Sequence, residues 1–132
     1  MTPRRIIIVE DEMLLAMDLE DILLDAGHSV LGQATDMAQT VALAEQFGDE
    51  IDLAIMDITL ARGSNGVAVA AVLRGRWNIP SLFVSGNLDP VTREKTRALD
   101  PIGFIGKPYS EREILAAIAG FSVSERADAT GD

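Results

Sequence analysis

A short, wholly apolar run that ends in a carboxylate constrains the fold of this chain more than any other feature. Residues 53–56 are Leu-Ala-Ile-Met, and Asp57 follows them directly. An apolar run of this length, bounded by turn residues, is typical of a strand that is buried on both faces. Such strands belong to parallel sheets, where ligands bind in the crevice at the carboxyl ends of the strands. Asp57 is therefore the first candidate for a reactive residue.

Strand and helix patterns alternate along the rest of the chain. Apolar, β-branched runs predict four further strands, at 5–9, 29–34, 81–84 and 103–105. Apolar residues at helical spacing, together with capping residues, predict helices at 13–26, 36–47, 67–75, 89–99 and 110–120. Five strands that alternate with five helices predict an α/β fold in which helices cover both faces of a parallel sheet.

Two pairs of polar residues mark where helices start. Asp36 is followed three residues later by Gln39, and Ser110 is followed three residues later by Glu113. This spacing is typical of a capping box, in which each side chain accepts a hydrogen bond from the other residue's backbone N–H. We therefore expect one helix to begin just after Asp36 and another just after Ser110.

Polar side chains come directly after the predicted strands. They are Glu10, Asp11, Asp57, Ser85 and Lys107. Because the carboxyl ends of parallel strands share one edge of the sheet, we expect all five to lie close together. Three neighbouring carboxylates repel one another and cannot all stay ionised without a counter-charge. The sequence therefore predicts a cation site at this edge.

Mg²⁺ is the cation that best suits these donors, with Mn²⁺ as an alternative. A hard divalent cation takes one or two carboxylates, a backbone carbonyl and waters. We expect Asp11 and Asp57 to bind the ion directly and Glu10 to support it through water. The backbone carbonyl of Thr59, in the turn after the strand, is expected to complete the protein ligands.

Asp57 is then a candidate nucleophile as well as a metal ligand. One of its oxygens stays free for in-line attack on a phosphoryl group, and the product, a mixed anhydride, is a known covalent intermediate. Lys107 and the hydroxyl of Ser85 can hold the remaining phosphoryl oxygens. The pattern therefore favours transfer of a phosphoryl group onto Asp57.

Four stretches of the chain resemble the receiver domains of two-component response regulators. They are 7–12 (IIVEDE), 54–57 (AIMD), 82–86 (LFVSG) and 104–109 (FIGKPY). The resemblance extends over nearly the whole chain, to about Phe121. It implies a (βα)5 doubly wound, flavodoxin-like sheet of five parallel strands in the order 2-1-3-4-5. It also implies a stand-alone receiver over residues 1–121, followed by a disordered tail at 122–132.

The resemblance assigns a role to each residue at the sheet edge. In this family the aspartate after the third strand accepts a phosphoryl group from a phosphohistidine of a sensor kinase or of a histidine phosphotransfer protein, which implies that role for Asp57. The resemblance also implies that Asp11, Asp57 and the Thr59 carbonyl bind Mg²⁺, with Glu10 in support. Lys107 is expected to pair with the phosphoryl oxygens, and its bond to Pro108 is expected to be cis. Ser85 is the implied switch hydroxyl and Phe104 the implied switch aromatic.

The resemblance also implies two protein-binding surfaces. The first helix, with Leu14, Leu15 and Asp18, is the expected docking surface for the kinase. The fourth helix, fifth strand and fifth helix form the expected output surface, which would include Arg93, Lys95, Arg97, Phe104 and Tyr109. A receiver that has no effector domain acts by binding a protein, by transferring phosphoryl groups to another protein, or by removing them from the signalling pathway. The kinase and the downstream target are not specified by the sequence.

Three departures from the family pattern concern the reactive edge. Glu10 stands where an aspartate is more usual, and its longer side chain can alter the metal geometry. Ser85 replaces the more frequent threonine, which keeps the hydroxyl and removes a methyl group. The segment 60–66 lacks the common proline turn and is about one residue longer than usual, so Arg62 can influence access to Asp57.

Composition excludes several other classes of function. The formal net charge of −10 argues against nucleic acid or an anionic membrane as the main partner. The chain has no cysteine, which excludes disulfides, thiolate metal sites and cysteine nucleophiles. Its apolar runs are too short to span a bilayer, and no signal peptide is recognisable, so we expect a cytoplasmic protein.

Three alternatives compete with the receiver hypothesis. A Mg²⁺-dependent phosphohydrolase also forms an aspartyl phosphate, but it commonly carries a second acid two residues later, where this chain has Thr59. A receiver-like module can act by protein contact alone, without phosphorylation. A flavodoxin-like cofactor carrier needs a phosphate-binding loop after the first strand, where this chain has acids. We expect a phosphoacceptor rather than an enzyme, one that assists its own phosphorylation and dephosphorylation.

Two other residues have simple structural interpretations. His28 follows Gly27, which ends the first helix, and is therefore expected to be a surface turn residue. Phe104 is as readily explained by a place in the hydrophobic core as by a switch role.

Overall fold

The computed structural model describes residues 2–60, 65–86 and 89–121, and these form a single five-stranded parallel sheet with flanking helices. The strands are β1 (Arg5–Val9), β2 (Ser29–Ala34), β3 (Leu53–Asp57), β4 (Ser81–Ser85) and β5 (Gly103–Gly106). The helices are α1 (Met13–Asp25), α2 (Met37–Phe47), α3 (Gly66–Trp77), α4 (Pro90–Arg97) and α5 (Glu111–Ala119), with one 3-10 turn at Gly48–Glu50. The strand order is β2-β1-β3-β4-β5, which confirms the predicted fold.

Two hydrophobic clusters, one on each face of the sheet, explain why the strands are continuously apolar. Ile7 and Val9 of β1 belong to a cluster that is completed mainly by α2 and α3. Ile6 and Ile8 alternate with them and belong to a second cluster, with α1 and α5. A strand covered on both sides has no solvent face, so it needs no polar alternation. Within the described parts of the chain, no helix has the length and apolar character needed to cross a membrane.

The register of the strands brings their carboxyl ends to one level. Val9 of β1 lies opposite Met56 of β3. Asp57, the last residue of β3, lies opposite Val84 of β4. On the far side of β4, Ser85 pairs with Gly106 of β5. Residues that directly follow β1 and β5 therefore lie at the same edge as Asp57 and Ser85.

Capping explains where two of the helices begin. At α5 both halves of the predicted capping box are present, because Ser110 accepts from the Glu113 N–H and Glu113 accepts from the Ser110 N–H. At α2 only half of the box forms. Asp36 accepts from the Gln39 N–H, but the Gln39 side chain accepts from the N–H of Thr35 instead. Both helices still begin directly after the residues that were expected to cap them.

His28 is buried, so the prediction of a surface turn residue is wrong. Only 3% of its surface is exposed, and its Nδ1 accepts a hydrogen bond of 2.9 Å from the Arg4 N–H. The Arg4 side chain is also buried, where it donates to the Phe121 carbonyl and lies 5.1 Å from the centre of the Phe121 ring. The helix ends near Gly27 as expected, but the chain then turns inward to begin β2 beside β1. Sequence spacing alone does not specify that turn.

We expect His28 to make the fold less stable at acidic pH. Burial, and then the Arg4 charge, lower the pKa of His28 below 6.5. A lowered folded-state pKa means that the unfolded chain binds more protons just below pH 6.5, so stability falls as pH drops through that range. His28→Asn keeps an acceptor near Nδ1 without titrating. Chemical denaturation at pH 7.5 and 5.5 should show that wild type loses more of its free energy of unfolding than the variant does. Equal losses would contradict this role.

Candidate functional site

Three carboxylates meet at the carboxyl edge of the sheet, as the sequence predicts. Glu10 and Asp11 follow β1 and Asp57 ends β3, and each offers an oxygen that lies within 4.8 Å of the other two. Glu10 and Asp57 are buried, with 3% and 4% of their surfaces exposed, whereas Asp11 is more accessible. Buried carboxylates at this spacing repel one another strongly, which makes the cluster a place where positive charge is favoured.

Lys107 supplies part of that positive charge. Its Nζ lies 3.0 Å from Glu10 Oε1 and 3.5 Å from Asp57 Oδ1. Its backbone N–H donates to the Ser85 carbonyl over 2.9 Å, and the 107–108 peptide bond is cis, as predicted. Burial opposes the charged ammonium, but the hydrogen bond to Glu10 and the charge of Asp57 outweigh it and raise the pKa of Lys107. Lys107 therefore stays protonated between the two carboxylates.

The protonation of the Asp57 carboxylate is perturbed by its surroundings. Burial, and then the charge of Glu10, raise its pKa to about 7, against the opposing effect of Lys107. The Thr59 N–H also favours the ionised form, by donating to Asp57 Oδ1 over 3.2 Å. The single Lys107 ammonium therefore does not offset the repulsion among these three acids. A second positive charge at the site would favour the ionised form of Asp57.

Backbone contacts hold the end of β3 against the start of α3. Thr59 forms an isolated antiparallel bridge with Asn65, and the Gly66 N–H donates to the Ile58 carbonyl over 2.8 Å. A Cβ atom on Gly66 would lie 2.0 Å from the Asp57 carbonyl oxygen. The sequence indicates a turn here but does not show that Gly66 touches the backbone of Asp57. Residues 61–64 lie outside the described part of the chain. The effect of Arg62 on access to Asp57 therefore stays a prediction.

Ser85 and Phe104 share one cavity of about 230 Å³. It is lined by Ile58, Phe83, Ser85, Gly86, Arg93, Phe104, Ile105 and Gly106. Ser85 is buried at the end of β4, and Phe104 of β5 is half-buried against the core cluster on the α2 and α3 face. Both interpretations of Phe104 are therefore compatible with its position. It packs against the core, and it also lies beside the implied switch serine.

Tyr109 lies on the opposite face of the sheet from Phe104, on the side that α5 covers, and its predicted place on the output surface stays a prediction. It packs against the cluster on the α1 and α5 face, which includes Ile105. With Leu15, Asp18, Lys107 and Pro108 it lines a second cavity, of about 370 Å³. Burial, and then the charge of Asp18, raise the pKa of Tyr109 to about 12. The two-residue alternation of β5 ends at Gly106, so it could not predict the face that Tyr109 occupies.

The first turn of α1, beside the acids, exposes large apolar side chains. Met13 and Leu14 are 75% and 81% exposed, and Met17 is also exposed. An apolar patch next to a reactive site is a feature of protein-binding surfaces. A candidate contact surface therefore lies on α1, and docking of a kinase there stays a prediction.

Comparison with known proteins finds one family model and several regulatory proteins that match most of this chain. A family model described as the response regulator receiver domain matches residues 6–119. Transcriptional regulatory protein PdtaR of Mycobacterium tuberculosis is 31% identical over 116 residues, which cover 88% of this chain and 55% of that protein. The phyllosphere-induced regulator PhyR of Methylorubrum extorquens is 32% identical over 115 residues, covering 86% of this chain and 42% of that protein. The chain thus spans about half the length of these two relatives.

A solved structure shows the same similarity in three dimensions. The signal receiver domain of a modulated diguanylate cyclase from Desulfovibrio desulfuricans G20 superposes with a TM-score of 0.84 at 27% identity. The match covers 96% of this chain and 98% of that chain. The similarity therefore extends over the whole receiver-sized unit.

Proposed function

Because this chain belongs to the response regulator receiver family, we propose that it accepts a phosphoryl group on Asp57 in a Mg²⁺-dependent reaction. The observation that carries the proposal is the position of the Asp57 carboxylate, which is buried among two other acids and lies 3.5 Å from Lys107 Nζ. A nucleophile, a cation site and a fixed ammonium are the parts that phosphoryl transfer requires. The receiver unit is proposed to extend over residues 1–121. The predicted tail at 122–132 lies outside the described residues.

The donors at the edge of the sheet fit a hard divalent cation. They are carboxylate oxygens within 4.8 Å of one another, and Lys107 is the only ammonium with ion pairs to them in the described structure. In the proposed site Asp11 and Asp57 hold Mg²⁺, the Thr59 carbonyl adds a backbone ligand, and Glu10 supports the ion through water. When bound, the ion offsets the negative charge that gathers on the phosphoryl oxygens during transfer.

The proposed reaction is a single in-line displacement at phosphorus. A carboxylate oxygen of Asp57 forms a bond to phosphorus as the phosphorus–nitrogen bond of the donor phosphohistidine breaks. The histidine ring leaves with the bonding electron pair, and Asp57 becomes an acyl phosphate. The Lys107 ammonium pairs with one phosphoryl oxygen, and the Ser85 hydroxyl donates to another. Hydrolysis of the acyl phosphate returns the free carboxylate.

The proposed partners are a histidine kinase or histidine phosphotransfer protein and a downstream protein. The exposed Met13, Leu14 and Met17 give the donor an apolar surface beside the acids. Phosphorylation is proposed to shift an existing equilibrium between two arrangements of the output surface around Phe104. A module that acts by contact alone is the alternative, and it would use the same surfaces without modification of Asp57.

Intact-protein mass spectrometry tests the phosphoacceptor role. After incubation with Mg²⁺ and acetyl phosphate, wild type is expected to gain one phosphoryl group, and Asp57→Asn is expected to gain none. EDTA should abolish the gain. Asp52→Asn is the matched control, because Asp52 is a buried acid just before β3 and the amide can still accept from the Arg5 N–H.

Two outcomes would contradict the proposal. A phosphoryl group on Asp57→Asn would place the acceptor elsewhere. Wild type that stays unmodified with both acetyl phosphate and a phosphorylated kinase would favour the contact-only module. Loss of modification in Asp52→Asn would mean that the assay reports fold integrity rather than the reactive carboxylate.

A further inference from the structure

We propose that Arg93 is a positioning residue that holds Phe104 in its resting place and thereby opposes the phosphorylated arrangement. The guanidinium carbon of Arg93, on α4, lies 5.3 Å from the centre of the Phe104 ring. This distance is within the range of a cation–π contact. The proposal rests on the function proposed above, and it adds a residue that sets how easily the switch operates.

The Phe104 ring is in contact with one fixed partner and one movable partner. Phe83 lies directly opposite Phe104 in the β4–β5 register, and the two rings stack with centroids 5.7 Å apart and planes 16° apart. Phe83 is buried in the core, so it provides a rigid surface. Arg93 projects from an exposed position on a short surface helix. Of the two contacts, the one to Arg93 is therefore easier to break.

The cavity beside the ring links this contact to the reactive edge. Ser85 is two residues after Phe83 on β4, so both side chains lie on the same face of the sheet. Ser85, Phe104 and Arg93 all line the cavity of about 230 Å³. If Ser85 turns toward a phosphoryl group on Asp57, the volume available to Phe104 increases. The proposal requires that the Phe104 ring move into that volume and away from Arg93.

The Arg93 guanidinium makes no ion pair within the described residues, in contrast to Arg97, which lies 3.5 Å from Glu94 on the same helix. Because no ion pair to a described residue holds the Arg93 guanidinium in place, its contact with the Phe104 ring can form in one arrangement and be lost in the other. An exposed cation–π contact that is made only in the resting arrangement would lower the apparent affinity of any ligand that favours the other arrangement. Typical strengths of such contacts correspond to a change of about two- to fivefold.

Beryllofluoride with Mg²⁺, a non-covalent mimic of the phosphoryl group, gives the test. Arg93→Gln is expected to bind it about two- to fivefold more tightly than wild type. Simple electrostatics predicts the opposite sign, because loss of a cation weakens the attraction of an anion. Lys95→Gln is the matched control: it removes the same charge from the same helix, and Lys95 has no described contact with Phe104. This variant should bind equally well or slightly more weakly.

A double-mutant cycle with Phe104→Leu separates the contact from general effects. If Arg93 acts through the ring, Arg93→Gln should leave beryllofluoride affinity almost unchanged once Phe104 is leucine. Arg93→Lys keeps the charge but lacks the planar guanidinium, and it should fall between wild type and Arg93→Gln. A residue that only stabilised the fold would change the free energy of unfolding without this dependence on Phe104.

The outcomes distinguish this proposal from the proposed function. If wild type binds beryllofluoride, Asp57→Asn does not, and Arg93→Gln behaves like Lys95→Gln, the role of Arg93 is overturned and the phosphoacceptor site stands. Equal gains in affinity from Arg93→Gln with phenylalanine or leucine at 104 would also overturn it. If wild type does not bind beryllofluoride with Mg²⁺, both proposals fail together.

Discussion

Replacing Gly66 with alanine is expected to lower the free energy of unfolding by about 3 kcal/mol and to sharply reduce phosphorylation of Asp57. The new Cβ would lie 2.0 Å from the Asp57 carbonyl oxygen and 2.7 Å from the Ile58 Cα. Both are backbone atoms, so rotation of a side chain cannot relieve the overlap. Either the start of α3 or the end of β3 must move, and the second movement displaces the reactive carboxylate.

Gly75→Ala is the matched control for this prediction, because it introduces the same methyl group later in the same helix. Apart from its chain neighbours and the backbone of its own helix, no described atom lies within 4 Å of the position that its Cβ would occupy. Since alanine is a better helix former than glycine, this variant should be more stable than wild type by about 0.5–1 kcal/mol. Urea denaturation and the phosphorylation assay measure the two effects. A Gly66→Ala protein as stable and as reactive as wild type would show that the close approach is not required.

Replacing Lys107 with methionine is expected to destabilise the metal-free protein by about 1–3 kcal/mol at pH 8. Its ammonium lies 3.0 Å from Glu10 Oε1 and 3.5 Å from Asp57 Oδ1, so the substitution leaves two buried carboxylates without their ammonium partner. Asp57→Asn removes one of the repelling charges and should stabilise the metal-free fold. The two substitutions at one site are therefore expected to change stability in opposite directions.

Urea denaturation in EDTA and in Mg²⁺ measures this electrostatic balance. Mg²⁺ should restore part of the stability that Lys107→Met loses, because binding to the folded state alone is stabilising. Lys95→Met removes an exposed ammonium from α4 and should change stability by no more than about 0.5 kcal/mol. If Lys107→Met and Asp57→Asn both destabilise the metal-free protein, repulsion among the acids is not what limits its stability.

Features that depend on local pattern could be predicted from the sequence. The run at 53–56 indicated a buried strand because it offers no polar face, and Ser110 with Glu113 indicated where α5 begins. The meeting of the acids with Lys107 followed from one further rule, that the carboxyl ends of parallel strands share an edge. Each of these inferences needs only neighbours in sequence or the topology of the sheet.

Features that depend on the path of the chain between elements could not be predicted. Burial of His28 requires that the turn before β2 bring it beside Arg4, and the side of the sheet that Tyr109 takes is decided after β5 has ended. The contact between Gly66 and the Asp57 backbone depends on where the first residue of α3 lies relative to the end of β3. A tertiary contact between residues distant in sequence leaves no periodic signal.

Chemical mapping of the modified residue tests most directly whether Asp57 is the residue that carries the phosphoryl group. Borohydride reduces an aspartyl phosphate to homoserine, and peptide sequencing by mass spectrometry locates that homoserine. After treatment with Mg²⁺ and acetyl phosphate, homoserine is expected at position 57 and at no other aspartate. Homoserine at Asp11 or Asp52 with none at position 57 would contradict the account.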